Sequence, residues 1–150
     1  MNDKVRGAMA AIQALNGMAA LYKSSSILAR SEGFSGTQIV LLATIALSLV
    51  GILAGFYLWR GHSFGLWLTA GFQIPQLVKI KSDLLIYQVE LGTGLDLLLI
   101  KKMGLAVTWG FRTNFYLWKP VPELQITVNL IALIFLYLVY REMNKNTSER

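Results

Sequence analysis

The stretch IVLLATIALSLVGILAGFYLW, Ile39–Trp59, decides the fold. It holds about 21 nearly all-apolar residues and closes an uncharged run that begins at Gly33. As a helix rising about 1.5 Å per residue, it matches the roughly 30 Å hydrocarbon core of a bilayer. The sequence therefore predicts an integral membrane protein. Phe56, Tyr57 and Trp59 end the run, where amphipathic rings favour the headgroup level. Thr44, Ser48, Gly51 and Gly55 follow steps of four, three and four, so they share one helix face. Gly51 and Gly55 form a GxxxG pair, and small residues let backbones approach closely in lipid. The stripe is expected to pack on another helix of the chain or on a second copy.

Composition points the same way. The chain has 150 residues, 55% hydrophobic and only 15% charged, where a soluble domain averages about 25% charged. Its formal net charge is +6, from 14 Lys/Arg against 8 Asp/Glu. The basic residues mostly flank apolar segments, where anionic headgroups and the positive-inside bias account for them. Nucleic-acid motifs are absent, so nucleic acid is not an expected partner. With no cysteine, the chain holds no disulfide, thiolate metal site or Cys nucleophile.

Outward from the first span, residues 4–31 read as an N-terminal helix. Val5, Met9, Ile12, Leu15, Ala19 and Tyr22 recur at three- and four-residue steps, on a soft apolar face. That helix packs on the rest of the chain, lies in the interface or spans. It is not read as a cleavable signal, because Gln13 and Asn16 interrupt it and no A-x-A site closes it. Residues 62–78 are predicted to be a short kinked span or re-entrant helix. Pro75 removes a backbone donor, and such breakers persist at membrane depth only where protein or a water-filled cavity satisfies the freed groups.

Over residues 83–118 the period changes to two. Leu85, Tyr87, Val89 and Leu91 alternate with Gln88 and Glu90; later Val107, Trp109 and Phe111 alternate with Thr108 and Arg112. This predicts a three-stranded antiparallel β-meander near 84–91, 95–100 and 105–117. Gly92-Thr93-Gly94 and Lys101-Lys102-Met103-Gly104 serve as its turns. Trp109 and Phe111 mark the buried odd-numbered face; Glu90, Arg112 and Asn114 mark the wetter one. Pro120 and Pro122 then break the chain, residues 124–140 form the last span, and 141–150 are a polar tail.

The predicted fold class is thus an α+β integral membrane protein, one membrane domain over residues 1–150. It has about three spans plus the N-terminal helix, with the meander inserted before the last span. Basic residues divide ten to four across such a membrane, the four being Arg60, Arg141, Lys145 and Arg150. This places the N-terminus and sheet on the cytoplasmic side of a cytoplasmic (inner) membrane.

The chemistry is sparse. His62 is the only histidine and sits in a polar turn, without a second ligand nearby in sequence. Asp83, Glu90, Asp96 and Glu123 make no close pair in sequence. No phosphate-binding loop, nucleophile elbow or zinc-protease motif is present. No catalytic, cofactor or metal residue is assigned. Gln73, Gln76 and Asn129 are polar residues at membrane depth, and Asn129 is expected to bond Gln73 or Gln76 on a neighbouring helix. The expected function is non-enzymatic: a structural or interaction subunit that contacts the bilayer and self-associates or docks a membrane protein. The alternative is an oligomeric pore or transport element with 62–78 lining a polar path.

Overall fold

The computed structural model describes residues 1–31, 36–99, 104–117 and 124–148; along 108–117 and 146–148 it describes the backbone path. In chain order come α1 (Asp3–Ala29), α2 (Gly36–Trp59), α3 (Phe64–Leu77), β1 (Val78–Lys81), β2 (Leu85–Leu98), β3 (Gly104–Leu117), β4 (Gln125–Asn129) and α4 (Leu130–Ser148). Among the described residues the fold is α+β, with four helices and one four-stranded antiparallel sheet. It is not the three-span bundle with a three-stranded meander that the sequence predicts.

The helices pack through their smallest residues. Asn2 caps α1, its side chain accepting a hydrogen bond from the Lys4 N–H at 2.9 Å. α1 then runs antiparallel to α2. A Cβ on Gly55 would stand 2.6 Å from the Ala10 carbonyl oxygen, and one on Gly17 would stand 2.8 Å from that of Ser48. Gly65 lets α3 start against the backbone of Tyr57 and Leu58. α4 closes the layer, with Phe135 and Val139 in one core with Met9, Leu58 and Leu66.

Among the described residues, α2 alone is long and apolar enough to cross a membrane, and 28% of its most apolar 18-residue window is buried. The other two predicted spans fail for separate reasons. α3 has 14 residues, about 21 Å of helix, short of a bilayer core. Residues 124–140 are divided between a strand and a helix. Ile126, Thr127 and Val128 are β-branched and pair in the sheet. Asn129 then starts α4, its side-chain oxygen accepting from the N–H of Ile131 at 3.0 Å and of Ala132 at 3.2 Å. Only about 11 apolar residues follow before Arg141, roughly half a span. The multi-pass assignment falls with them, and so does the ten-to-four charge split. Because α1 and α2 are antiparallel and the Met1 amine meets Glu142 of α4, Lys4, Arg6, Arg60 and Arg141 gather at one end. Asn129→Ala removes the α4 cap and is expected to lower stability by about 1 kcal/mol, measured by chemical denaturation.

The sheet departs most from expectation. The predicted strands 84–91 and 95–100 are one continuous strand, β2, and Gly92-Thr93-Gly94 lies inside it. β2 pairs with β3 along its whole length, from Leu85↔Leu117 to Leu98↔Gly104. β1 pairs with the start of β2 at Ile80↔Tyr87, with β4 at Val78↔Val128, and β4 pairs with the end of β2 at Asp96↔Asn129. Three antiparallel pairings around one ring cannot be met by straight strands. β4, antiparallel to β1, heads the same way as the start of β2 yet opposite to its end. β2 therefore reverses its heading between Tyr87 and Asp96. Gly92 sits in that bend with φ +116°, a conformation L side chains rarely adopt, and faces Gly110 across the ladder.

The ring also overturns the predicted faces. Glu90, assigned to the wetter side, is 6% exposed, as are the polar Gln88 and Asp96. Val89 and Leu91 on the other face are buried with Ala20 and Phe72, against Leu47 and Val50. Both faces of mid-β2 are covered because the ring encloses one and the helices cover the other. Trp109 and Phe111 lie on β3, and their side chains fall outside the described residues.

Candidate functional site

The bend brings together a buried group of ionisable side chains. Lys79 on β1 donates to the Asp96 carboxylate at 2.5 Å, and its Nζ stands 3.4 Å from Glu90 Oε2. Gln88 Nε2 donates to the same Glu90 oxygen at 3.4 Å. Glu90 and Asp96 are six residues apart, about 20 Å along an extended strand. One ammonium touches both because β2 folds back on itself. The three charged side chains expose 5% to 9% of their surface, and water screens them little. Arg112 is the register partner of Glu90 in the β2–β3 ladder.

This arrangement is a clasp. Lys79 ties β1 to both limbs of β2, and the carboxylates are spent on it and on their neighbours. The sequence reading counts Lys79 only as a basic flank and treats Glu90 and Asp96 as exposed. One signal was present: Val78-Lys79-Ile80-Lys81 alternates with period two directly after the Pro75 helix breaker.

The polar residues assigned to membrane depth are used inside the chain. Gln76 Nε2 donates to the Phe72 carbonyl at 2.9 Å, and Gln76 Oε1 accepts from the Leu91 N–H at 3.1 Å, pinning α3 to the bend of β2. Gln73 is buried on the same helix. Asn129 does not meet Gln73 or Gln76; it caps α4, as above. The Thr69 hydroxyl donates to the Gly65 carbonyl at 2.7 Å, and its oxygen stands 3.1 Å from the side-chain amide of Gln13 on α1. Gln13, which the sequence reading takes as a mere interruption of the apolar face, is fully buried there.

The small-residue stripe of α2 divides between two neighbours. Gly55 meets α1, while a Cβ on Gly51 would press on the Phe72 ring of α3 at 2.6 Å. Thr44 and Ser48 turn their hydroxyls back onto the helix, donating to the carbonyls of Val40 and Thr44 at 2.7 Å each. Gly55→Leu drives a side chain into the Ala10 backbone and is expected to cost about 1–3 kcal/mol, read as a lower thermal midpoint.

Tyr87 closes the sheet onto α3 through its hydroxyl, which donates to the Pro75 carbonyl at 2.8 Å. Burial raises its pKa above the usual 10.0, so it stays a donor through neutral pH. The folded state holds this proton more tightly than the unfolded one. Its stabilisation is fully present below pH 10 and is lost as pH climbs beyond. Tyr87→Phe is expected to flatten that alkaline loss in a stability–pH series.

No protein-family model, curated protein or solved structure matches the chain.

The outer surface of the helix layer is apolar. Ile39, Leu42, Leu49, Leu53 and Phe56 of α2 are exposed, as are Leu15 and Met18 of α1 and Leu133, Ile134 and Tyr137 of α4.

Proposed function

We propose that the chain is a non-enzymatic, membrane-attached interaction subunit, with α2 as its membrane element and the helix layer as its contact surface. The observation that carries this is the exposed apolar face of α2, from Ile39 to Trp59, on a helix long enough to cross a bilayer. Two further features support it. The Lys79 cluster is enclosed and internally paired, which suits a clasp better than a reaction centre. Ring closure pairs β1 and β4 on both edges, so their backbone groups need no water. A polar path lined by α3 draws no support from side chains that bond within the chain.

The lipid bilayer is the principal partner in this reading. A second copy, or another membrane protein, covers what lipid leaves free. In this reading the gathered basic residues favour the N-terminal end at the cytoplasmic face of a cytoplasmic membrane. The test is extraction of the expressed chain with alkaline carbonate. Retention in the membrane pellet is expected, and the exposed-site variant Leu49→Asn/Leu53→Asn is expected to weaken it. Full release of the unaltered chain would overturn the reading.

A further inference from the structure

A groove of about 290 Å³ runs along the α1–α2 seam, walled only by apolar surface from Ala10, Ala14, Ile52, Gly55, Phe56 and Trp59. It exists because the seam is built from small residues. The close approach at Gly55 fixes its floor, and Ala11 forms its open lip. Trp59 closes one end, and Gly7 of α1 lies 3.8 Å from its ring by the position of a Cβ.

The charges stand at that same end. Arg60 follows Trp59 and lays its guanidinium over the Phe56 ring, 4.4 Å from the centroid. Arg6 lies one turn before Ala10 on α1 and reaches the Gly61 turn, its Nη1 3.3 Å from a Cβ there. Lys4 is exposed beside it. The carboxylates in this group are Asp3, at 2.8 Å from Arg6, and Glu142, which pairs with the Met1 amine and lines a cavity with Arg6 and Gly61. An apolar slot thus ends under an excess of cations, with an exposed indole at the boundary.

We propose that this groove holds one acyl chain of an anionic phospholipid, with the lipid phosphate at Arg60 and Arg6. The slot takes hydrocarbon because its wall offers no polar group. The cations select a negative headgroup, each contributing roughly fivefold in preference near an anionic surface. Trp59 sits where amphipathic rings favour the headgroup level. The site rests on the membrane-attached reading, but it is tested without a bilayer.

The full chain in detergent is titrated with phosphatidylglycerol or phosphatidylcholine, and bound lipid is counted by native mass spectrometry. A single phosphatidylglycerol adduct is expected, clearly favoured over phosphatidylcholine. Ala11→Phe fills the slot from its exposed lip and is expected to abolish the adduct while circular dichroism is unchanged. Arg60→Gln is expected to reduce the preference for phosphatidylglycerol about fivefold and leave phosphatidylcholine binding as it was. An adduct undiminished in Ala11→Phe would overturn the groove, and equal binding of the two lipids would overturn the headgroup site. Binding of inorganic phosphate as tight as that of the lipid would overturn the acyl chain's part. Loss of carbonate resistance with the adduct intact would count against membrane attachment alone.

Discussion

Lys79→Met is expected to be the most damaging single substitution, costing about 3–5 kcal/mol in a denaturant titration. The methionine nearly fills the lysine volume, so the loss is electrostatic. Glu90 and Asp96 would be left in a space that exposes less than a tenth of either side chain, without the ammonium that touches both. The control is the triple variant Lys79→Met/Glu90→Gln/Asp96→Asn. Removing a whole buried ionic group often costs little, because its desolvation penalty disappears with it. The triple variant is therefore expected to recover most of the loss. If the single and triple variants are equally unstable, the clasp contributes through packing and not through charge.

Gly92→Val is the second. Two penalties act at this residue. Its φ of +116° is outside the range a β-branched residue adopts, which costs about 1–3 kcal/mol. A Cβ there would stand 2.1 Å from the Asn16 side-chain carbon of α1, which adds an overpacking cost of about 1–3 kcal/mol. Together these give a loss of about 2–6 kcal/mol. The double variant Asn16→Ala/Gly92→Val separates them. Clearing Asn16 is expected to restore part of the stability and leave the backbone penalty. Full recovery would mean that the bend tolerates a side chain and that the glycine serves only helix–sheet contact.

How much of this was legible in the sequence differs from element to element. α2 was plain, since nothing but a helix buries or embeds a run such as Ile39–Trp59. The close-packing glycines were legible as a pattern, but their partners were not: Gly51 meets Phe72 and Gly55 meets Ala10, and no spacing rule names a residue on another helix. The period-two stretch announced strands, yet its glycines misled. Gly92-Thr93-Gly94 has the composition of a turn, and only the pairing with β3 on both sides keeps it in one strand. The apolar run 124–140 was long enough to pass for a span because Ile126–Val128 count as apolar in a helix and as β-branched in a strand. Asn129 decides between the two, and its capping role depends on the sheet that precedes it. The ionic clasp was the least legible. Lys79, Glu90 and Asp96 are ordinary surface residues in any straight strand, and become a cluster only once β2 turns back.

The ring has a bearing on how the chain reaches its native state. Val78 and Val128 are register partners separated by 50 positions, and β4 supplies two of the three pairings that close the circle. During synthesis from the N-terminus, the helices α1 to α3 and the β2–β3 ribbon emerge first, held by near-neighbour contacts. The circle waits for β4, which is made after both of the strands it joins. Such distant pairing carries a large loop-closure cost and slows folding. Until it forms, Asp96 lacks the strand that joins it to β1, and the charged interior stays open to water. A nascent chain ending before Gln125 should therefore form α1 to α3 with unprotected β1 amides, and the arrival of Gln125–Asn129 should be the step that locks the sheet.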